Sequence, residues 1–596
     1  MTNILIIGGA SLDILHIKGQ TFHTAGGAGL YTALAAIRGG AAAGMCAPKP
    51  QPMPGELAKA AEMLAEWRGP LIEAQRLPHF EIEHTGDKAT YLKAAFGSES
   101  ELDLDDLPAD LSTYDCVHLT PLGDSRKQQH FLRTCKERGA RFISAGTYLC
   151  MIRENAELIR ESIDLTDAFF MNEEEACLIF GSLEQVKGKA GKLIFVTLGE
   201  KGVLVVQGDL QTRLNTVAVE VVDPTGAGDS FCGATLAGLA RGAHPVMAAR
   251  KALRVAARQI TAIGPAALMD VETRQEVQLD ECVRLNTRQI GLVSEVVKSL
   301  SAASPFDFTG KDFPPAGNAH VLEYFFVTIL QQFSFWDTRS GRYDHPLVDI
   351  IDGDVLKGSA YLFRAYTRKL LKDPEFFTAA RQASLNSNEM QDLFRADNGV
   401  NPMPATELHL KMAQAYGHDM LALRNTPQAI LACARQSETP LKTFIQELDR
   451  IGGYKEDPLR KKSNLLALVL NQRPEKFLDF AEGEAVPPVI DYHTMRGCLR
   501  MGLVEILDDV LRAKIENREI VSEAEEWAIR YASYLAVEEV VRLSGKSLGA
   551  VDWFFFAYSR QRCPEMSEPV CSECAVDQVC AHRKQLFQPV LRTTFY

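Results

Sequence analysis

Val222-Asp223-Pro224-Thr225-Gly226-Ala227-Gly228-Asp229-Ser230-Phe231 decides how the first half of this chain is read. Two glycines within three residues let the backbone turn tightly, so that successive N–H groups point into one concavity. A helix is expected to begin at once, through Ser230 and Phe231. Its N-terminal amides and dipole add to an anion site. An Asp at the mouth of such a site can accept a proton from a substrate hydroxyl while the amides hold the transferring phosphoryl group. Phosphoryl transfer asks mainly for positioning and charge stabilisation, so this arrangement is sufficient. A bare Gly-Ala-Gly would read as a turn capping a structural helix. The ten-residue string reads instead as an anion hole with Asp229 as its catalytic base.

Outward from this motif, residues 1–270 alternate short apolar or β-branched runs with helical stretches. Candidate strands are 3–8, 115–119, 141–144, 193–197 and 202–206; candidate helices are 28–38, 126–138, 172–180 and 228–241. The alternation argues for an α/β domain with a largely parallel sheet. Four more segments occur in order: Gly8-Gly9-Ala10-Ser11-Leu12-Asp13, Gly26-Gly27-Ala28-Gly29-Leu30, Asn172-Glu173-Glu174-Glu175 and Thr197-Leu198-Gly199-Glu200-Lys201-Gly202. Together with residues 222–231 they resemble the PfkB, or ribokinase-like, carbohydrate and nucleoside kinases. The resemblance implies a domain over residues 1–275 that uses ATP and Mg²⁺. It implies that the amides of Gly226, Ala227 and Gly228 form the anion hole and that Asp13 contacts the sugar. Gly26 and Gly27 would let substrate approach the backbone. Asn172 and Glu175 would organise Mg²⁺ and phosphate through water, and Thr197, Gly199 and Gly202 would form the nucleotide-side turn. Two departures bear on the substrate. Tyr31 stands where the family usually has Asn, and its ring offers a stacking face that suits a nucleoside better than a bare sugar. The stretch 45–110, where lid strands normally lie, is short.

From about residue 285 the texture changes. Long amphipathic stretches (319–333, 356–371, 407–423, 440–450, 459–470 and 523–545) dominate, and a mainly α-helical second half is expected, with the boundary near 270–290. A Pro- and Gly-rich loop at 309–318 precedes that helical core.

Cys563, Cys571, Cys574 and Cys580 crowd into 18 residues, whereas the other nine cysteines are scattered and read as buried hydrophobes in a reducing compartment. Four thiolates in one short loop suit zinc or a 4Fe–4S cluster. The uneven spacing resembles the iron–sulfur loop of DNA glycosylases of the endonuclease III and adenine-glycosylase type, with one extra residue in the first gap. That resemblance implies a structural 4Fe–4S cluster in a segment spanning 561–596.

Upstream, Pro487-Pro488-Val489-Ile490-Asp491-Tyr492-His493-Thr494-Met495-Arg496 ends a loop and opens a helix. An Asp there is a routine N-cap, but it can also stabilise positive charge at C1′ while an N-glycosidic bond breaks. The string resembles the segment of helix-hairpin-helix glycosylases whose Asp lies beside that bond. Phe333-Ser334-Phe335-Trp336, Asn388 to Asp397, Met403-Pro404 and Ile490-Asp491-Tyr492 are in turn similar, in order, to the queuosine salvage family. Those proteins are N-glycosylases that free queuine from queuosine 5′-phosphate. This implies an all-α, helix-hairpin-helix glycosylase-like domain over 285–560. In it Phe335 and Trp336 would stack on the base, Asp397 would read its amidine edge, and Arg395 would hold phosphate or pair with Asp397. Tyr492 would line the site and Asp491 would be catalytic. Gly452-Gly453-Tyr454 and Leu459 to Asn464 sit where DNA glycosylases keep their hairpin and, in lyases, a Schiff-base Lys. Lys461 reads as a surface cation or phosphate contact.

The 596 residues exceed one core, and 46% hydrophobic with 24% charged residues is ordinary globular composition. No apolar run reaches the roughly 18 residues of a membrane span. Met1 to Ile7 reads as a strand, not a signal peptide, so a cytoplasmic location is expected. A net charge of −13 disfavours nucleic acid as a partner and leaves small-molecule substrates. The expected function is a bifunctional salvage enzyme, with a repair glycosylase carrying an appended kinase as the rival.

Overall fold

The computed structural model describes residues 2–85, 88–95, 97–270, 279–301, 306–339 and 342–596. It divides into two compact units, Met1–Gln275 and Glu276–Tyr596. The expected boundary falls partly on residues 271–278, outside the described residues. No helix among the described residues is long and apolar enough to cross a membrane.

A nine-stranded sheet organises the first unit. Its order is Leu210–Leu214, Val203–Gln207, Leu193–Thr197, Ala168–Asn172, Ile143–Gly146, Cys116–Leu119, Asn3–Ile7, Ala42–Cys46 and Glu66–Arg68. The first two strands join antiparallel and the rest pair in parallel. Strands buried on both faces read as unbroken apolar runs, as in Ile4-Leu5-Ile6-Ile7 and Ile194-Phe195-Val196. Helices Ala28–Arg38, Ala227–Ala240 and Pro245–Gln259 cover one face. Ser125–Glu137, Leu149–Leu165 and Glu173–Phe180 cover the other.

A second sheet pairs Gln20–Gly26, Ser11–Ile17, His79–Thr85 and Lys88–Ala95. This four-stranded lid corrects the expectation drawn from the short 45–110 stretch. Half of the lid is supplied by residues 11–26, immediately after the first strand, so a short later insert completes it. Leu15, Ile17 and Ile82 form its small core, with Phe22, Phe80 and Ile263 packed against them.

The second unit is mainly helical. Its longest helices are Thr406–Ala422 and Glu523–Ser544. Three two-stranded ribbons break the all-α expectation: Val283–Leu285 with Val504–Ile506, Trp336–Arg339 with Arg342–Pro346, and Val348–Ile351 with Asp354–Lys357. The cysteine-bearing tail is not a separate appendage either. Val576, Leu586, Phe587 and Val590 lie in the same buried cluster as the helices.

In the first unit, helices Ala28–Arg38 and Ala227–Ala240 approach so closely that a Cβ on Gly233 would lie 1.9 Å from the Thr32 carbonyl oxygen. Gly233→Ala must push these helices apart. It is expected to cost roughly 1–3 kcal/mol, seen as an earlier urea transition with faster amide exchange across 227–240 and unchanged exchange in the second unit.

Candidate active sites

The parallel strands of the first unit end on one side of the sheet, and the motif residues collect there. Asn172 and Thr197 are register partners at the ends of their strands, and Gly8 follows the first strand. Crevices at the carboxyl ends of parallel strands are the usual ligand sites of such sheets. Gly199 and Gly202 take positive φ of 61° and 91° in the turn after Thr197.

Gly226 is the N-cap of helix Ala227–Ala240, with φ 75°. The ring of Tyr31 lies against it, so that a Cβ at 226 would meet ring carbons at 2.5 Å. Only glycine satisfies both demands. The same contact corrects the reading of Tyr31. Its ring is 1% exposed and packs on the anion loop, so it offers no open stacking face. Of the three amides expected in the anion hole, that of Ala227 donates to the Pro224 carbonyl at 3.3 Å. Those of Gly226 and Gly228 have no acceptor among the described residues, and space is open around Gly228.

Asp229 stands in the first turn of this helix, and burial pushes its carboxyl up to about 6. Glu175 is pushed up to about 7 by burial, with the charge of Asp229 adding to the effect. Glu175 is also held in a reciprocal cap: its Oε2 accepts the Asn172 N–H at 2.8 Å, and Asn172 Oδ1 accepts the Glu175 N–H at 2.9 Å. A buried carboxyl raised in part by a neighbouring carboxylate is a group that a divalent cation would stabilise, so Glu175 fits Mg²⁺. Asp13 is raised to about 6 by burial, with the neighbouring Ser11 side chain and the Phe80 backbone opposing. Its Oδ1 has no hydrogen-bond partner among the described residues, a vacancy that suits a substrate hydroxyl. Gly26 makes room for this carboxylate, since a Cβ there would lie 1.8 Å from Asp13 Oδ2. Gly27, at φ 97°, clears the backbone of Gly9 and Ala10. Both glycines thus serve packing within the protein first.

The second unit holds a cavity of about 360 Å³ whose lining includes Phe335, Lys461, Asp491, Tyr492, His493 and Asp552. Asp491 is the N-cap of helix Tyr492–Met501: its Oδ1 accepts the Thr494 amide at 2.9 Å and the Thr494 hydroxyl at 3.1 Å. Its Oδ2 has no hydrogen bond among the described residues. Asp491 thus caps the helix and also lines the cavity.

Of the two readings of Lys461, surface cation or phosphate contact, its burial removes the first. Lys461 is 5% exposed, donates from Nζ to the Gln332 carbonyl at 2.8 Å, and burial pushes its ammonium down to about 8, with Asp491 the strongest opposing charge. Asp552, which the sequence reading missed, is raised to about 7 by burial and by Asp491, with Lys461 opposing. Its signal was a lone carboxylate inside the apolar helix Leu548–Ala557. Arg560, also missed, lines the cavity and lies over the Phe556 ring, 5.0 Å from its centroid.

Three expected contributors are elsewhere. Trp336 is buried edge-on against Phe587, 5.7 Å between centroids, and does not line the cavity. Asp397 accepts the amides of Asp352 at 3.0 Å and Gly353 at 2.8 Å, closing the turn of a ribbon. Arg395 pairs with Asp392 at the surface rather than with Asp397.

Cys563, Cys571, Cys574 and Cys580 are all free thiols. They are close enough that burial, and then the other three sulfurs, raise Cys574. Arg500 Nη1 donates to Cys563 Sγ at 3.2 Å. Burial raises Cys574 and Cys580, and a bound metal centre, whose charge favours thiolates, would offset that cost. Among the described residues, the set of three ligand atoms within 4.8 Å of one another is Cys571, Asp577 and His582.

A base accepts a proton only when ionised. If Asp229 is the base, kcat/KM of the free enzyme should fall about tenfold per pH unit below about 6. A pH–rate profile flat down to pH 5 would exclude it.

Residues 119–272 match the family described as "pfkB family carbohydrate kinase". A cytidine kinase of Thermococcus kodakarensis is 29% identical over 252 residues, which is 41% of this chain and 90% of that protein. A ribokinase of Lactococcus lactis is 38% identical over 81 residues, 13% of this chain and 27% of that protein. The structure of aminoimidazole riboside kinase from Salmonella enterica aligns at 21% identity and a TM-score of 0.39, covering 45% of this chain and 97% of that one. The family match takes in Asn172, Glu175, the turn after Thr197 and the Gly226–Asp229 turn, while Asp13, Gly26, Gly27 and Tyr31 lie outside it, and the first unit of this chain carries a PfkB/ribokinase-like kinase domain.

Proposed function

We propose that the chain is a bifunctional nucleoside salvage enzyme. The first unit phosphorylates a modified nucleoside, queuosine, at its 5′-hydroxyl. The second hydrolyses the N-glycosidic bond of the resulting 5′-phosphate and releases queuine. The observation that carries the kinase reading is Asp229 beside the unengaged amides of Gly226 and Gly228. Asp229 takes the proton of the attacking hydroxyl, and the amides and helix dipole hold the phosphoryl oxygens. Mg²⁺, when bound near Asn172 and Glu175, would supply positive charge to the phosphates. The cytidine kinase match over most of that protein's length supports a nucleoside as acceptor.

The glycosylase reading rests on Asp491, Lys461 and Asp552 meeting in an aromatic-walled cavity. The Asp491 side chain offsets positive charge developing at C1′ and can orient the attacking water. A carboxyl pushed up to about 7, as at Asp552, keeps a proton available for the leaving base at neutral pH. Arg560, which has no carboxylate partner among the described residues, takes the phosphate role first expected of Arg395. Cys563, Cys571, Cys574 and Cys580 would hold a 4Fe–4S cluster.

Two variants separate the steps. Asp229→Asn should lower phosphorylation about 10²–10⁴-fold, blocking queuine release from queuosine while sparing cleavage of queuosine 5′-phosphate. Asp491→Asn should let queuosine 5′-phosphate accumulate, with cleavage slowed about 10²–10³-fold. Product identification by mass with and without Mg-ATP checks both. Normal cleavage by Asp491→Asn would reduce that residue to a helix cap, and excision of a base from duplex DNA would replace the salvage reading with repair.

Anaerobically purified protein should be brown and carry about four irons and four sulfides per chain. Cys574→Ala should lose both and destabilise the second unit. Colourless protein with one equivalent of zinc would overturn the cluster.

A further inference from the structure

The lid sheet touches the anion loop through a histidine that the phosphoryl-transfer mechanism above does not use. His84 lies on lid strand His79–Thr85, and its side chain is 3% exposed. Its Nε2 is 3.4 Å from Asp223 Oδ1 and 3.3 Å from Thr225 Oγ1. Its Nδ1 is buried with no hydrogen-bond partner among the described residues. Asp223, fully buried, accepts the Thr225 amide on Oδ1 at 2.9 Å and the Gly264 amide on Oδ2 at 2.8 Å. The Thr225 carbonyl in turn accepts from Gln259 Nε2 at 2.8 Å. Ile263, next to Gly264, packs against the lid core. The lid therefore meets the loop that precedes Gly226 at His84, and the 263–264 turn, whose Gly264 amide Asp223 holds, at Ile263.

We propose that His84 is a positioning residue for phosphoryl transfer. By docking on Asp223 and Thr225, it makes closure of the lid and completion of the anion hole a single event. The two Nε2 contacts are long for hydrogen bonds, and their acceptors lie within the 223–225 segment. A lid movement of a few tenths of an ångström brings both into range. It would also draw Thr225 toward the lid, and with it the peptide that carries the Gly226 amide. Contacts made fully only on closure act on kcat, since they are absent when substrate first binds. The inference rests on the kinase reading of the first unit.

The test uses the full-length chain, with ADP release measured on a panel of queuosine, cytidine and ribose. The terminal amide of Gln reaches about where His Nε2 lies, whereas that of Asn stops near Nδ1. His84→Asn should lower kcat about 10–100-fold with KM for ATP and acceptor little changed, and His84→Gln should restore most of it. Independently of turnover, a non-hydrolysable ATP analogue with cytidine should slow amide exchange across 79–85 in the wild type and in His84→Gln. It should not do so in His84→Asn at equal thermal stability. Wild-type kcat in His84→Asn, or equal impairment of the Asn and Gln variants with lid protection intact, would overturn the proposal. Loss of the kinase reading looks different: the wild type and Asp229→Asn would then release ADP equally, and the exchange experiment would still decide the role of His84.

Discussion

Asp223 is completely buried and gives both carboxylate oxygens to backbone amides, those of Thr225 and Gly264. Loops carry unpaired N–H groups that cannot be buried without acceptors. Here one acidic side chain satisfies two of them and so sets the path of the chain into Gly226. From that point the left-handed turn, the close approach of Tyr31, the helix start and the unengaged amides all follow. The second unit repeats the device at Asp457, which is fully buried and pairs with Arg530 through two hydrogen bonds of 2.8 and 2.7 Å. Asp457 also accepts the Lys461 amide at 2.8 Å, and Arg530 reaches the Ile490 carbonyl at 3.4 Å. That pair thereby fixes the residues on either side of the cavity chemistry, Lys461 and Asp491. Breaking such a pair leaves an uncompensated buried charge and costs about 3–5 kcal/mol, so the cavity residues are tied to a contact that is costly to lose.

Both sites hold carboxyls away from their ordinary range. Asp229 at about 6, Glu175 at about 7 and Asp552 at about 7 are each raised chiefly by burial. A raised carboxyl favours the folded state in its protonated form. Its contribution is fully present below the pKa of the unfolded chain, and it is lost as pH rises through about 6 to 7. At neutral pH these groups therefore work against folding. Groups kept under that disadvantage in a crevice or cavity are the expected mark of chemistry rather than of packing.

The first domain was legible because its signals are local. The 222–231 string, the βα alternation and the apolar strands each depend on neighbours in sequence, and the helices and strands expected from them lie within a few residues of those observed. The lid was misjudged because its strands come from two separated segments that pair only in three dimensions. In the second half, the helices were visible as amphipathic stretches and Asp491 stood out at a helix start. The surface-cation reading of Lys461 failed because its burial comes from Gln332 and other residues far away in the chain. Asp552 was missed because the charge that answers it, on Lys461, lies ninety-one positions earlier. Asp397 and Trp336 sit in plausible motif positions, yet a ribbon turn and the Phe587 ring claim them.

By itself the sequence determined that a glycine turn opens a helix in an α/β domain, that the remainder is largely helical, and that four cysteines crowd one segment. Backbone turning, periodicity and spacing are properties of contiguous residues, so they can be read from the chain. Tertiary structure alone decided which charged groups share a cavity, which amides remain unengaged, and which aromatic faces are covered. Those outcomes depend on desolvation and on partners brought together across more than a hundred residues, and no local pattern encodes them.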